Sequence, residues 1–241
     1  MHVIFNADDF GLTLGVNLGI VESCVAGVVR STTLMVGMPA EQQAVQLTSN
    51  TPALKVGVHL RFTAGSPLTA ASSLVNEQGK FLPYSAFWAH QGMSQQQIAD
   101  ETTAQIEHFL AQGLALSHVD SHHHAHTHPE LLPVIEEVVQ GYRVPLRGSG
   151  LAGSTCRYAF ESGFYGEELT LSRLTALLDG HQGQCDVLEV MTHPALVDQS
   201  LLELSSYNIA RTRELAVLTD PRLPQLLKQR GITVADYSSL F

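Results

Sequence analysis

Short apolar runs alternate with helical repeats along most of the chain. Val3 to Asn6 reads as a strand, and in the following "GVNLGIVESCVAGVV" residues Val16, Ile20, Val21, Cys24, Val25 and Val28 recur at helical spacing. "STTLMVG" is strand-like, and "PAEQQAVQLTSN" opens with proline in the manner of a helix start. "KVGVHL" alternates and is rich in β-formers, while "SQQQIADETTAQIEHFLAQG" predicts a helix ending at Gly113. "LSHVDSH" predicts the next strand and "PELLPVIEEVVQG" the next helix. "VPLRGS", "DVLEVMTH" and "ITVADYS" read as further strands, separated by "ELTLSRLTALLDG" and the stretch from Ser205 to Arg230.

This order amounts to about seven β-then-α units and indicates a parallel sheet. With 241 residues, no repeat and no linker, the expectation is a single β/α-barrel domain over residues 1–241, closed or nearly closed. Two connections, 61–93 and 149–168, are longer than such units need and are read as functional. The first carries Phe81, Tyr84, Phe87 and Trp88, the second Tyr158, Phe160, Phe164 and Tyr165. These aromatics suit sugar stacking as well as a plug of the barrel mouth or a homodimer contact.

Composition narrows the field. Hydrophobic residues make up 44%, which supports a sizeable core and excludes a disordered chain. A formal charge of −10 argues against a nucleic-acid surface. Cys24, Cys156 and Cys185 are far apart and form no C-x-x-C, so a reducing cytoplasm is expected. "MHVIFNADDFG" lacks the pattern of a signal peptide, and no run is apolar enough to span a membrane.

In a β/α barrel the C-terminal strand ends face the active site. Asp8 and Asp9 follow the first strand, and His59 closes "KVGVH". Asp120, His122 and His124 lie at or beyond the end of "LSHV"; Arg147 ends "VPLR" and His193 ends "LEVMTH". Six of the twelve histidines fall between His118 and Glu130. If the strand continues, Asp120, His122 and His124 share one face and His123 points away. Thr127 and Glu130 have capping-box spacing, which predicts a helix start there and leaves His126 and His128 in a loop or cap.

Neutral imidazole is the commonest protein ligand to metals, so the cluster points to a metal site. Adjacent aspartates on a strand point in opposite directions, so one can ligate while the other acts on a water. One carboxylate with two imidazoles leaves positions open for water and substrate, the catalytic arrangement. Such an ion acidifies water and polarises a carbonyl.

"NADDFGLTLGVNLGI", "GVHL" followed by "TAGSPLT", "HVDSHHHAHTHPE", "FYGEE", "EVMTHPA" and "RTRELAVLTDP" resemble the YdjC-like, or ChbG-like, carbohydrate deacetylases over nearly the whole chain. The resemblance implies an irregular, roughly seven-stranded β/α (TIM-like) barrel related to the polysaccharide deacetylases. It implies removal of acetyl groups from N-acetylated, chitooligosaccharide-like sugars, and a divalent metal ion held by Asp9, His59 and His122. His124 stands on the same predicted strand face as His122. The family is described with magnesium, whereas two imidazoles suit zinc or another transition ion better.

In this scheme Asp8 is the general base, kept ionised by nearby positive charge, and His193 the acid that protonates the leaving amine. Asp8 would set the acidic limb of the pH profile and His193 the basic limb. Arg147 would orient Asp8 or bind a sugar hydroxyl, and His124 and Trp88 would touch substrate. Two other readings are a metal-independent glycoside hydrolase pairing Asp8 with Glu189 or Asp120, and a non-catalytic metal- or sugar-binding protein. The first leaves the histidines unexplained. The second needs a closed four-ligand site.

Overall fold

The computed structural model describes residues 1–241. It opens with β1 (His2–Phe10), buried at every position after His2. Thr13 then caps α1 (Leu14–Val25), its side chain accepting from the Val16 amide at 3.2 Å. There follow β2 (Ser31–Leu34), α2 (Glu41–Ser49), β3 (Lys55–Leu60), α3 (Tyr84–Ala89), α4 (Gln95–Ala111) and β4 (Val119–Ser121). Next come α5 (Leu132–Tyr142), β5 (Tyr158–Glu161), α6 (Leu171–His181) and β6 (Val187–Thr192). Three helices, α7 (Gln199–Leu204), α8 (Ala210–Leu218) and α9 (Leu223–Gln229), lead to the two-residue β7 (Thr233–Val234).

All strand pairs are parallel, in the order β4-β3-β2-β1-β6-β5. β6 runs along β1 from His2 to Ala7. The other edge of β1 is shared: β7 pairs with His2 and Val3, and β2 takes over from Asn6. The result is an α/β fold with a parallel half-barrel sheet and β1 at its centre. A core cluster of 47 buried residues fills the space between sheet and helices. Strands covered on both faces read as near-continuous apolar runs, which is why β1, β3 and β6 stand out in the sequence. No helix is long and apolar enough to cross a membrane.

Outside the site itself, the structure departs from the sequence expectation in three places. "VPLRGS" is not a strand: only Leu146 bridges to Val119 and Gly150, because the chain turns back through Gly148 and Gly150, both at positive φ. The strand beside β6 is instead β5, inside the segment read as a long loop. Its residues are all half-buried at a sheet edge, so it carries no strong apolar pattern. Third, the capping box at Thr127 does not form. Thr127 donates to the His124 carbonyl, and Glu130 accepts from the Gly92 and Met93 amides at 3.0 and 2.8 Å. Helix α5 starts later, with Pro133 in its first turn, where no amide hydrogen is needed.

Candidate active site

The site is built at the C-terminal end of β1. Strand alternation would send Asp8 and Asp9 to opposite faces. Instead Asp9 has φ 69, and the register with β2 shifts between Ala7 and Phe10. This left-handed kink, a conformation that costs a non-glycine residue energy, turns both carboxylates into one cavity of about 830 Å3.

Asp9 Oδ1 lies 2.9 Å from His122 Nδ1 and 3.3 Å from His59 Nε2. One ligating atom from each of the three residues falls within 4.8 Å of the others. The second oxygen of Asp9 accepts from Arg211 Nη2 at 2.7 Å. His59 turns its other nitrogen to Asp120, 2.6 Å away, and Asp120 in turn accepts from Thr33 at 3.0 Å. A carboxylate behind an imidazole fixes its tautomer and aims its free nitrogen, the support usual for metal-binding histidines. Burial alone would lower the His59 pKa, but Asp120, Asp9 and Asp8 together push it up to about 10. Burial alone would raise the Asp9 carboxyl, yet Arg211, His122 and His59 hold it well below the usual range.

The histidine run does not continue as a strand. β4 stops at Ser121, and His123 and His124 both adopt left-handed conformations, with φ 55 and 54. Asp120, His122 and His124 therefore do not share a face. Asp120 lies beneath His59, His122 reaches Asp9, and His124 lines the cavity with its ring 5.6 Å from Phe160. Burial and the Arg147 charge push His124 down to about 4, and burial and His122 push His123 down to about 3. His126 is a structural residue between Ser121 Oγ at 2.5 Å and the Arg147 carbonyl at 3.2 Å. His128 accepts from the Glu130 amide.

Asp8 is gripped from behind. Arg147 donates to both its oxygens at 2.7 Å and to Glu189 at 2.6 Å, and forms an ion pair with Asp120 at 2.8 Å. Burial would raise the Asp8 carboxyl, but Arg147, with His59 and His193, holds it well below the usual range. Asp8, His59 and Asp120 also have ligand spacing, but the Arg147 guanidinium already bonds both of those carboxylates. Arg147 is 1% exposed and does not line the cavity. An Arg147→Leu variant would remove the one arginine that three buried carboxylates share, so a loss of about 3–5 kcal/mol or outright unfolding is expected. Thermal denaturation checks it, and a melting point within a degree or two of the parent would refute it.

His193 lines the cavity with Nε2 3.9 Å from Asp8 Oδ2. Trp88 does not line it. It is half-buried, with its ring 5.6 Å from Phe87 and 5.5 Å from His128. One helical turn earlier, Tyr84 takes the wall position, 54% exposed. Sequence reasoning gave no role to Arg211, Tyr207 or Glu214. Arg211 and Glu214 fall in the "RTRELAVLTDP" segment that carries the resemblance, but their Arg-x-x-Glu spacing is that of an ordinary surface ion pair, and Tyr207 has no such signal.

The parallel half-barrel is the α/β fold seen in solved carbohydrate esterases and polysaccharide deacetylases. A family 4 carbohydrate esterase from Streptomyces lividans, solved in complex with acetate, shares this fold at TM-score 0.54 and 10% identity, over 100% of this chain and 94% of that one. The chain belongs to the YdjC-like protein family, whose sequence model matches residues 2–229. It is 53% identical to a carbohydrate deacetylase of Vibrio parahaemolyticus over 100% of this chain and 96% of that protein. A crystal structure from Enterococcus faecalis V583 matches at TM-score 0.91 and 31% identity, over 99% of this chain and 98% of that one.

Proposed function

We propose that this chain is a metal-dependent carbohydrate deacetylase that hydrolyses the acetamide of an N-acetylated, chitooligosaccharide-like sugar to free amine and acetate. The observation that carries the reading is the meeting of Asp9, His59 and His122 within 4.8 Å, beside Asp8 and His193 in one cavity. The name of the Vibrio relative supports the substrate class.

The donor set fits a divalent ion: three ligand atoms converge, and Asp120 already orients His59. When bound, such an ion polarises the acyl oxygen and acidifies water. Two imidazoles and one carboxylate favour zinc or another transition ion over magnesium. Asp8, ionised and held by Arg147, accepts a hydrogen bond from the attacking water and takes its proton. His193 Nε2 faces the same space and delivers a proton to the leaving amine. His124, pushed down to about 4, stays neutral near pH 7 and offers substrate a hydrogen bond rather than a charge.

Tyr84 and Tyr165, 54% and 45% exposed, present aromatic surface for sugar rings. Tyr84→Ala is expected to raise KM for an N-acetylated trisaccharide by about 2- to 12-fold, equivalent to about 0.5–1.5 kcal/mol of aromatic contact, and to leave a monosaccharide almost unaffected. Steady-state kinetics on both sugars checks this; equal effects would assign Tyr84 to structure.

We read the chain as one catalytic unit. Its three free cysteines suit a reducing cytoplasm, and the exposed Leu14, Leu18 and Val25 of α1 offer an apolar face for a homodimer. The glycoside-hydrolase reading loses its second carboxylate: Glu189 and Asp120 are both bound to Arg147, and neither lines the cavity.

The test is acetate release from N- and O-acetylated mono- and oligosaccharides by stripped protein reloaded with defined ions. No acetate from any N-acetylated sugar under any ion would overturn the proposal. Release from O-acetyl sugars alone would make the protein an esterase.

A further inference from the structure

We infer that Glu214 is the positioning residue for His193, and that Tyr207 shares its carboxylate, so that one turn of α8 braces both sides of the cavity. The functional consequence rests on the role of His193 proposed above; the geometry does not.

Glu214 is fully buried and no lysine or arginine pairs with it. It accepts from the backbone amide of His193 and from the Tyr207 hydroxyl, the latter at 2.5 Å. The same oxygen that holds Tyr207 lies 3.7 Å from His193 Nδ1. That nitrogen is buried and has no hydrogen-bond partner of its own. The other ring nitrogen, Nε2, is 3.9 Å from Asp8 and opens on the cavity. The Tyr165 and Tyr207 rings stack on each other at 3.9 Å and stand edge-on to His193 at 5.7 and 5.6 Å. The imidazole thus abuts the stacked pair, with one nitrogen toward a carboxylate and one toward the reacting space.

An Nδ1–H can be received only by Glu214. That tautomer leaves Nε2 free to gain and deliver a proton, and the imidazolium formed keeps its second N–H on a buried anion. The groups facing the ring are Asp8 from β1, Glu214 from α8, and Tyr165 and Tyr207 from the loops before α6 and α8, with His124 farther off. Asp8 lies on the Nε2 side and the tyrosines are neutral, so Glu214 alone sets the Nδ1 side.

Arg211, one turn earlier on α8, donates to Asp9 at 2.7 Å and to the Tyr207 carbonyl at 2.7 Å. The segment after His193 is seated on α1, where Gly15 and Gly19 leave no room for a side chain: an added Cβ would lie 2.1 and 2.4 Å from Leu196 and Ala195. Arg211 and Glu214 therefore hold the metal-side carboxylate and the proton donor at a set separation.

The experiment uses full-length protein carrying 15N-labelled histidine, with Glu214→Gln and Tyr207→Phe variants. In the parent at alkaline pH, His193 should be protonated at Nδ1. Glu214→Gln should lose that preference; Tyr207→Phe, which frees the shared oxygen, should keep or strengthen it. In turnover, Glu214→Gln should lower kcat by at least about 10- to 100-fold, the range typical of carboxylates behind metal-ligating histidines, with KM unchanged and the basic limb of the pH profile moved to lower pH. Tyr207→Phe should leave that limb in place or move it to higher pH. A merely structural defect would not lower the limb in Glu214→Gln while sparing or raising it in Tyr207→Phe. An Nε2–H tautomer in the parent, or an unchanged tautomer and profile in Glu214→Gln, would overturn the inference. Should Glu214→Gln fail to fold, a basic limb moved downward in Tyr207→Phe would do the same. If the tautomers match but no sugar is deacetylated, the positioning stands and the proposed function falls.

Discussion

A His59→Ala variant is expected to bind no divalent ion and to release no measurable acetate, with its fold retained. In the parent, ion affinity should rise about tenfold per pH unit between about pH 6.5 and pH 10. Both results follow from the imidazole's surroundings. Without an ion, Asp120 and Asp9 push His59 from 6.5 up to about 10, so a proton occupies the ligand across neutral pH. Binding must displace that proton, and each proton released contributes about a factor of ten per pH unit. The sign for stability is opposite. A raised folded-state pKa stabilises the ion-free protein fully below about 6.5, and that contribution is lost as pH rises through about 10. Asp120 keeps Arg147 and Thr33 when His59 is removed, so it is not left unpaired. Calorimetric zinc titrations at several pH values, in buffers of different ionisation enthalpy, count the proton directly. A pH-independent affinity, or full zinc occupancy in His59→Ala, would sink the assignment.

How much of this could be read from the sequence depends on what each residue's environment imposes on its neighbours. β1, β3 and β6 are buried along nearly their whole length, and their apolar runs mark both the strands and the ends where Asp8, Asp9, His59 and His193 stand. β5 is half-buried at an edge and left no such mark. The left-handed residues Asp9, His123 and His124 cannot be foreseen from strand periodicity, since each breaks the alternation on which the reading depends. They matter most at the site: one brings two adjacent aspartates into the same cavity, and the pair separates His122 from His124. Arg147 reads from the sequence as a strand-end residue that would orient Asp8 or meet a sugar. Only the fold shows three buried carboxylates around it, from β1, β4 and β6. Tyr84 and Trp88 lie in the same aromatic-rich connection, and the sequence does not say which of them stands nearer the cavity.

Asp8→Asn is expected to keep its ion and to lose about 10²–10⁴-fold in kcat, the usual contribution of a positioned acid or base. The acidic limb of its residual pH profile should coincide with that of the parent. On the sequence alone Asp8 would own that limb. The structure moves it elsewhere, because the bidentate Arg147 contact holds the carboxyl well below the usual range, and Asp8 is ionised throughout the pH range in which the enzyme would work. The protons that silence the site at low pH are then those competing with the ion at His59. Asparagine preserves the shape of Asp8 but turns an amide N–H₂ toward the Arg147 fork, where two donors meet, so a lower melting temperature should accompany the loss of rate. Ion content, kcat as a function of pH and thermal melting, measured on one preparation, separate these effects. A near-normal kcat would remove Asp8 from the mechanism. Disappearance of the acidic limb would return that limb to Asp8 and show that Arg147 does not depress it.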